Sequence, residues 1–398
     1  MAIPKSITII GNGAAGTTAA IEARKMDENI PIEIISREDS YGYNRPMLTK
    51  SIVNGVNEKV FFIKPEKWYE DNNIKVTLDT NVTSLDPDSK EISLDSGEKR
   101  NYDVLVLATG AEAFVPPISG KDLKGVFSIR NWKDIKQIHD MLDSATDAVV
   151  IGGGVLGLEA AWDLKQSLKN VTVIEKSNAL MSRQLDGIGS KAILDDADKM
   201  GINVEFNGET EKILGIDGKA TGVKLKSAKT IPAQIVIIST GIRQNTDLVK
   251  DLDVEITKSI VVNDKMETGL PDVYAIGDCA ECGGVNYGIW PQALDMAKTA
   301  IANIFGEEKH YKPVIPANMV KLGDFSLYAI GDNGKNEDFK YDLYETSDPQ
   351  KGNVARYYFV DNKLVGGTLI GDITKLTKLQ EAFNNKTEKD EFINEVTK

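Results

Sequence analysis

Ser6-Ile7-Thr8-Ile9-Ile10 is a short, almost unbroken apolar run, and it predicts a buried strand. A glycine turn follows, then a helix from Ala14 to about Arg24, then a second strand from Pro31 to Ile35. Strand, helix and strand in that order make a βαβ unit, whose two strands run parallel. The same grammar returns with a strand over 148–151, a glycine turn, a helix to about Leu168 and a strand from Val171 to Ile174. There is no shorter repeat of the stacked kind; one unit is used twice.

Between the two units lie short alternating strands around Val82, Ile92 and 103–107, with turns at Pro87-Asp88 and Ser96-Gly97. The second unit closes with strands near 221–225 and 234–239, and a strand over 273–276 leads to a helix from Pro291 to about Asn303. After Lys312-Pro313 the pattern changes to antiparallel strands at 341–346, 355–360 and 363–370, with a closing helix from about Thr374. That tail predicts a separate α+β domain.

Both glycine turns carry chemistry. Gly11-Asn12-Gly13-Ala14-Ala15-Gly16 follows a strand and opens a helix. The first glycine permits the turn, the second admits a pyrophosphate to the backbone, and the third lets helix pack on strand. Gly152-Gly153-Gly154-Val155-Leu156-Gly157 repeats this, and Glu175 ends the next strand where a carboxylate accepts from a ribose 2′-OH. That arrangement favours NADH over NADPH. In the first unit Glu38 comes late after its strand, so Arg37 is placed against an adenine or a phosphate instead. Two dinucleotide sites in one chain suggest a bound cofactor exchanging electrons with a diffusible one.

Composition narrows the picture further. The 398 residues, at about 150 per domain, allow two to three domains. A 41% hydrophobic and 27% charged chain is neither disordered nor fibrous. The net charge of −13 argues against nucleic acid or an anionic membrane as partner. No apolar run approaches the ~20 residues of a membrane span. The start enters a strand directly without a signal-peptide pattern, so a cytoplasmic location is expected. Two cysteines cannot build a disulfide framework, and two separated histidines, His139 and His310, predict no metal site.

Further segments resemble the FAD-dependent pyridine nucleotide oxidoreductases. The stretch 268–278, ending Ala275-Ile276-Gly277-Asp278, resembles their second flavin motif, and Ala108-Thr109-Gly110 and Ser239-Thr240-Gly241 resemble their crossover segments. Arg45-Pro46-Met47-Leu48-Thr49-Lys50 and Trp290-Pro291-Gln292-Ala293 resemble segments of the ferredoxin- and rubredoxin-reductase branch. The tail, with Phe359-Val360-Asp361-Asn362-Lys363, is similar to the interface domain of NADH:rubredoxin oxidoreductases and of nitrite-reductase N-terminal modules.

The resemblance implies an α/β fold with two Rossmann-like dinucleotide-binding domains and a C-terminal α+β interface domain. The FAD domain would be 1–112 with 242–311, the NAD domain 113–241 and the interface domain 312–398. It implies FAD contacts at Gly11, Gly13, Ala14, Ala15, Gly16, Arg37, Arg45, Lys50, Val82, Arg130, Asp278 and Trp290, besides the crossover residues Ala108, Thr109, Gly110 and Gly241. NADH would meet Gly152, Gly154, Val155, Leu156, Gly157, Glu159 and Glu175. Lys50 and Glu159 would pair beside the flavin as catalytic residues, and the helix start after Trp290 would face the flavin edge that gains negative charge.

No cysteine lies in 40–50, which argues against disulfide-reductase chemistry. Cys279-Ala280-Glu281-Cys282 follows Asp278 and reads as structural. The implied activity is transfer of electrons from NADH through FAD to a small redox protein, with rubredoxin favoured. An NADH oxidase using oxygen and a non-catalytic NAD-redox-sensing flavoprotein are the alternatives. Because rubredoxins are acidic too, docking would need a local basic patch, for which Lys375 and Lys378 are the candidates.

Overall fold

The isoleucine run forms the strand Ile7–Ile10 in the middle of a five-stranded parallel sheet. Its order is Val273–Ala275, Val104–Leu107, Ile7–Ile10, Ile32–Ile35, Ile74–Thr77. All four residues of the central strand are buried, which is why its sequence does not alternate. The helix Ala14–Met26 follows, and its buried small residues Ala19, Ala20 and Ala23 let it pack closely on its neighbours. The structure, a computed structural model, describes residues 4–313, 315–348 and 350–396.

The chain divides into two compact units. The first comprises Met1–Met47, Val56–Ala113 and Gly241–Val314; the second comprises Leu48–Gly55, Phe114–Thr240 and Ile315–Lys398. The sheet just described belongs to the first. The second holds another parallel sheet, in the order Ile202–Phe206, Asn170–Glu175, Asp147–Ile151, Ile235–Ile238, Val126–Phe127. It also holds the tail, a five-stranded antiparallel sheet in the order Ala317–Leu322, Phe325–Gly331, Lys363–Ile370, Asn353–Val360, Asp342–Asp348. The helices Leu376–Asn385 and Lys389–Val396 cover that sheet, with Leu379 and Phe392 fully buried against Tyr357 and Phe359.

The tail is richer than its pattern predicts, with two further strands and a second helix. Ala317–Leu322 and Phe325–Gly331 are joined at Gly323-Asp324, where Gly323 takes φ +57°. The helix expected to reach Leu168 stops at Lys165, because Leu168 is buried from the turn that follows and prolongs the apolar period. The closing helix starts at Leu376, not Thr374, since the Thr374 N–H and hydroxyl both donate to Asp372 in a competing turn. Lys375 and Lys378 are exposed, and their ammonium groups donate to the carbonyls of Val396 and Glu395, the latter at 2.9 Å, which caps the final helix.

One carboxylate joins the tail to the rest of the second unit. Asp186 caps the helix Gly187–Lys199 by accepting the Gly189 N–H at 2.8 Å. Its other oxygen accepts from Arg356 Nε and from the Tyr358 hydroxyl, both at 2.8 Å, and the Asp186 and Arg356 side chains are each only 12% exposed. Removing one partner of a buried pair leaves the other charge uncompensated. Asp186→Ala should therefore destabilise the second unit by about 3 kcal/mol, part of it from the lost cap. Urea unfolding followed through tail aromatic fluorescence would measure this.

Candidate functional site

A parallel sheet aims the ends of all its strands in one direction, so loops from distant parts of the chain gather along one edge. In the first unit Ile7–Ile10, Val104–Leu107 and Val273–Ala275 run side by side into Gly11, Ala108 and the turn Gly277–Cys279. The strand order reverses between Ile7–Ile10 and Val104–Leu107, the crevice where such sheets bind ligands.

The three glycines of the first fingerprint are required for different reasons. A Cβ on Gly11, at φ +109°, would lie 2.1 Å from the Ala108 carbonyl oxygen, and one on Gly16 would lie 1.9 Å from that of Gly11. Both are close approaches of backbone to backbone. A Cβ on Gly13 would meet nothing within 4 Å. The open position is the one a pyrophosphate needs. Gly13 caps the helix without a side-chain bond, and the first turn, which holds Ala14 and Ala15, has no acid, so N–H donors stay available to an anion.

Gly277, at φ +72°, brings Asp278 into this edge. A Cβ there would stand 2.8 Å from the Ala15 Cβ and 3.8 Å from the Ala293 Cβ, which puts the turn between two helix starts. The second of these helices, Trp290–Ile304, likewise lacks a side-chain cap and has a proline in its first turn. Two donors nearby are buried without a partner: Asn12 Nδ2 inside the fingerprint and Gln292 Nε2 in the first turn of that helix. Open backbone, uncapped helix starts and orphaned donors fit a ligand rich in acceptors, as FAD is.

Arg45 adds charge to the same edge. Glu38 accepts from Arg45 Nη2 at 2.8 Å and from the Tyr43 hydroxyl at 2.6 Å. Burial works against the Arg45 charge, but Tyr43, Glu38 and Asp278 outweigh it and hold the guanidinium above its ordinary pKa. Glu38 thus brackets two neighbours. Arg37 pairs with Glu112 at 2.5 Å on an exposed surface. Thr109 and Gly110 are stitched to Asn245: the Thr109 hydroxyl donates to its carbonyl at 2.8 Å, and its N–H donates to the Gly110 carbonyl at 3.0 Å. Gly241, at φ +115°, starts the chain toward that contact. Val82 opens the strand Val82–Asp86 and packs against the core of the first unit.

The second unit builds the matching cradle from 152–157. A Cβ on Gly152 would lie 2.1 Å from the Ser239 carbonyl and one on Gly157 2.0 Å from that of Gly152, whereas Gly154 is open to 4 Å. Val155 starts the helix Val155–Lys165, and Leu156 beside it is 50% exposed. Glu175 already holds this loop: one oxygen accepts the Gly153 N–H at 2.8 Å, the other the Ser177 N–H and hydroxyl at 2.7 Å. The backbone N–H of Arg130 donates to Asp134 at 2.8 Å, at the start of the helix Trp132–His139.

Lys50 and Glu159 do meet. Lys50 Nζ stands 3.6 Å from Glu159 Oε1, with Glu159 8% exposed and the Lys50 side chain 53% exposed. Thr49, which the sequence pattern did not single out, donates its hydroxyl to the other Glu159 oxygen at 2.7 Å. Asn12 and Gln292 also escaped notice, although both lie inside quoted motifs. Cys279 and Cys282 are free and buried, and burial pushes both thiols up, so neither is a ready thiolate. Among the described residues, no cluster of three His, Cys, Asp or Glu could hold a metal ion, and no helix is long and apolar enough to cross a membrane.

Comparison with known proteins agrees with this geometry. The model of the pyridine nucleotide-disulphide oxidoreductases matches residues 5–302, and that of the rubredoxin NAD+ reductase C-terminal domain matches residues 316–387. The chain is 32% identical over 380 residues to the NADH-rubredoxin oxidoreductase of Clostridium acetobutylicum, covering 95% of this chain and 94% of that one. A crystal structure of NADH:rubredoxin oxidoreductase from that organism superposes with a TM-score of 0.82 at 30% identity, covering 96% of each chain. The nitrite reductase of Bacillus subtilis is 32% identical over 377 residues, which are 94% of this chain. The chain spans about half the length of such larger relatives, 46% of this one.

The glycine geometry separates folding from binding. Gly11→Ala should destabilise the ligand-free first unit by about 1–3 kcal/mol through strain and overlap. Gly13→Ala should leave its melting temperature within about a degree while weakening FAD retention, because it fills open space where a phosphate passes. Thermal melts of the apoprotein and FAD titration of both variants make the comparison.

Proposed function

We propose that this chain, which belongs to the pyridine nucleotide-disulphide oxidoreductase family, binds FAD in its first unit and NADH in its second and passes electrons from NADH to a small redox protein, rubredoxin before others. The observation that carries the reading is the pair of open glycine cradles in a chain whose two cysteines are both buried. A disulfide relay has no accessible thiol to use, so electrons would leave for an external carrier. The C-terminal match to the rubredoxin NAD+ reductase domain supports rubredoxin as that carrier. In this reading residues 1–112 with 242–311 form the FAD domain, 113–241 the NAD domain and 312–398 the interface domain.

FAD, when bound, supplies a centre that takes up two electrons as hydride and gives them up one at a time. The residues of the chain orient and stabilise. The helix starting at Ala14 offers N–H groups to the pyrophosphate, and Asp278 offers a carboxylate to the ribityl hydroxyls. The helix starting at Trp290, uncapped by any side chain, would lend its positive end to a flavin that gains negative charge on reduction. Glu159 orients the Lys50 ammonium; at 3.6 Å and half exposed, the pair contributes direction more than stability. Glu175 selects for a free ribose 2′-OH while keeping the glycine loop in shape.

Stopped-flow mixing of the FAD-loaded protein with NADH, then with rubredoxin or ferredoxin at equal concentration, tests the reading. Rubredoxin should be reduced faster. Oxygen uptake equal to NADH loss, with the carrier left oxidised, would refute it. Lys50→Met should slow flavin reduction about tenfold or more at full FAD occupancy, since misplacement near the reacting atoms costs rates of that order; a wild-type rate would remove Lys50 from its role. Glu175→Ala should lower kcat/KM for NADH and for NADPH, through the loosened loop, and narrow the gap between them. A wild-type preference for NADPH would count against the assignment.

A further inference from the structure

The segment Leu48–Gly55 groups with the second unit, although Met47 before it and Val56 after it group with the first. Leu48, Thr49, Ser51 and Ile52 are 3% exposed or less, so between Leu48 and Ile52 only Lys50 projects to the surface. The backbone of this strap therefore sets the point from which the Lys50 side chain starts. Glu159, reached by Thr49 and Lys50, sits on the helix Val155–Lys165. One turn further on the same face lies Asp163.

Asp163 is 2% exposed, and its Oδ2 accepts the Val53 N–H at 2.9 Å; the Ile52 N–H also bonds to its carboxylate. Gln166 Nε2 donates to the other oxygen at 3.2 Å. The Ile52 carbonyl is held as well, by His139 Nδ1 at 3.0 Å. A carbonyl only accepts, so the His139 proton sits on Nδ1. Ile52 is thus gripped at both its N–H and its C=O.

We propose that Asp163 is a positioning residue, whose carboxylate fixes the strap backbone at Ile52 and Val53 and so places the Lys50 ammonium against Glu159. The inference rests on the role given to Lys50 above. Burial without a cation raises the Asp163 carboxyl above its ordinary pKa, the backbone N–H donors opposing this only in part. A neutral acceptor would hold the two amides with less desolvation. The charge gives the stronger grip, since hydrogen bonds to an ionised acceptor are shorter and stronger. Two carboxylates one turn apart then hold the strap at two points, and Lys50 lies between them.

The test compares Asp163→Ala and Asp163→Asn in the FAD-loaded full-length chain. In Asp163→Ala, amide hydrogen exchange at Ile52 and Val53 should rise about tenfold or more while the helix Val155–Lys165 keeps its protection. Labelling of Lys50 by an amine reagent should change against the other lysines. Flavin reduction at saturating NADH should slow about tenfold with the NADH dissociation constant unchanged. Asp163→Asn, which keeps an acceptor, should recover protection and most of the rate. In a Lys50→Met background Asp163→Ala should slow reduction no further, since both act through one ammonium. Additive losses in the double variant, or a loosened strap with an unaltered rate, would overturn the proposal. Unchanged exchange and unchanged Lys50 labelling would overturn it whatever NADH does. Wild-type protein inert to NADH would instead sink the functional reading, while the exchange and labelling arms still decide the clamp. If Asp163→Ala does not accumulate, Asp163→Ser, with its shorter side chain, carries the same measurements.

Discussion

The contact on which both cradles depend is a backbone carbonyl lying where a side chain would begin. The Ala108 oxygen occupies that place for Gly11, and the Ser239 oxygen occupies it for Gly152. The first glycine can turn the chain out of its strand only because it has no Cβ, and the neighbouring strand can sit beside it only for the same reason. The third glycine repeats the argument inside the loop, against the oxygen of the first. Packing therefore accounts for the first and last glycine of each fingerprint and leaves Gly13 and Gly154 facing open space. Fold and site share one geometric condition, met once in each unit.

Much of this was legible in the residues. The nearly unbroken apolar run at 7–10 predicts a buried strand, and all four of its residues are buried; 103–107 reads as an alternating strand, but Val104–Leu107 is buried at every position because it lies inside the parallel sheet. The fingerprint spacing located the cradles because the constraint is local: turn, loop and helix start lie within six residues. The Lys50–Glu159 meeting came from a family likeness, since nothing in either residue's neighbourhood announces a partner more than a hundred positions away. Asp163 was not legible at all. A charged residue on a helix reads as solvent-facing, but here residues 52 and 53 return onto that face and the Val53 N–H bonds to the buried carboxylate. Thr49 was hidden likewise behind the lysine it precedes. The tail hairpin escaped because its strands alternate weakly around a short turn.

Carboxylates such as Glu175 and Glu38 are already committed to partners within their own unit. Glu175 closes the second glycine loop through Gly153 and Ser177, so its carboxylate is aimed in advance. Glu38 spends its two oxygens on Arg45 and Tyr43, so the guanidinium is held in place by a carboxylate of its own unit, with Asp278 adding to the field that keeps it charged. Preorganisation of this kind removes the reorganisation that a flexible charge would undergo on binding. It also ties Glu175 to folding, because its carboxylate holds the glycine loop in shape.

The interleaving of the two units in the chain has a consequence for synthesis. The second parallel sheet is encoded within 126–238, so all of its strands emerge together. The first sheet needs Val273–Ala275 to complete it, long after Val104–Leu107 has left the ribosome. At about 5–20 residues per second that interval lasts roughly ten to thirty seconds. Throughout it, four consecutive apolar residues present an unpaired strand edge, the kind of surface that recruits other chains. The nascent protein thus passes through a window in which its later sheet is ready before its earlier one. Chaperone demand should be concentrated on the first half of the chain.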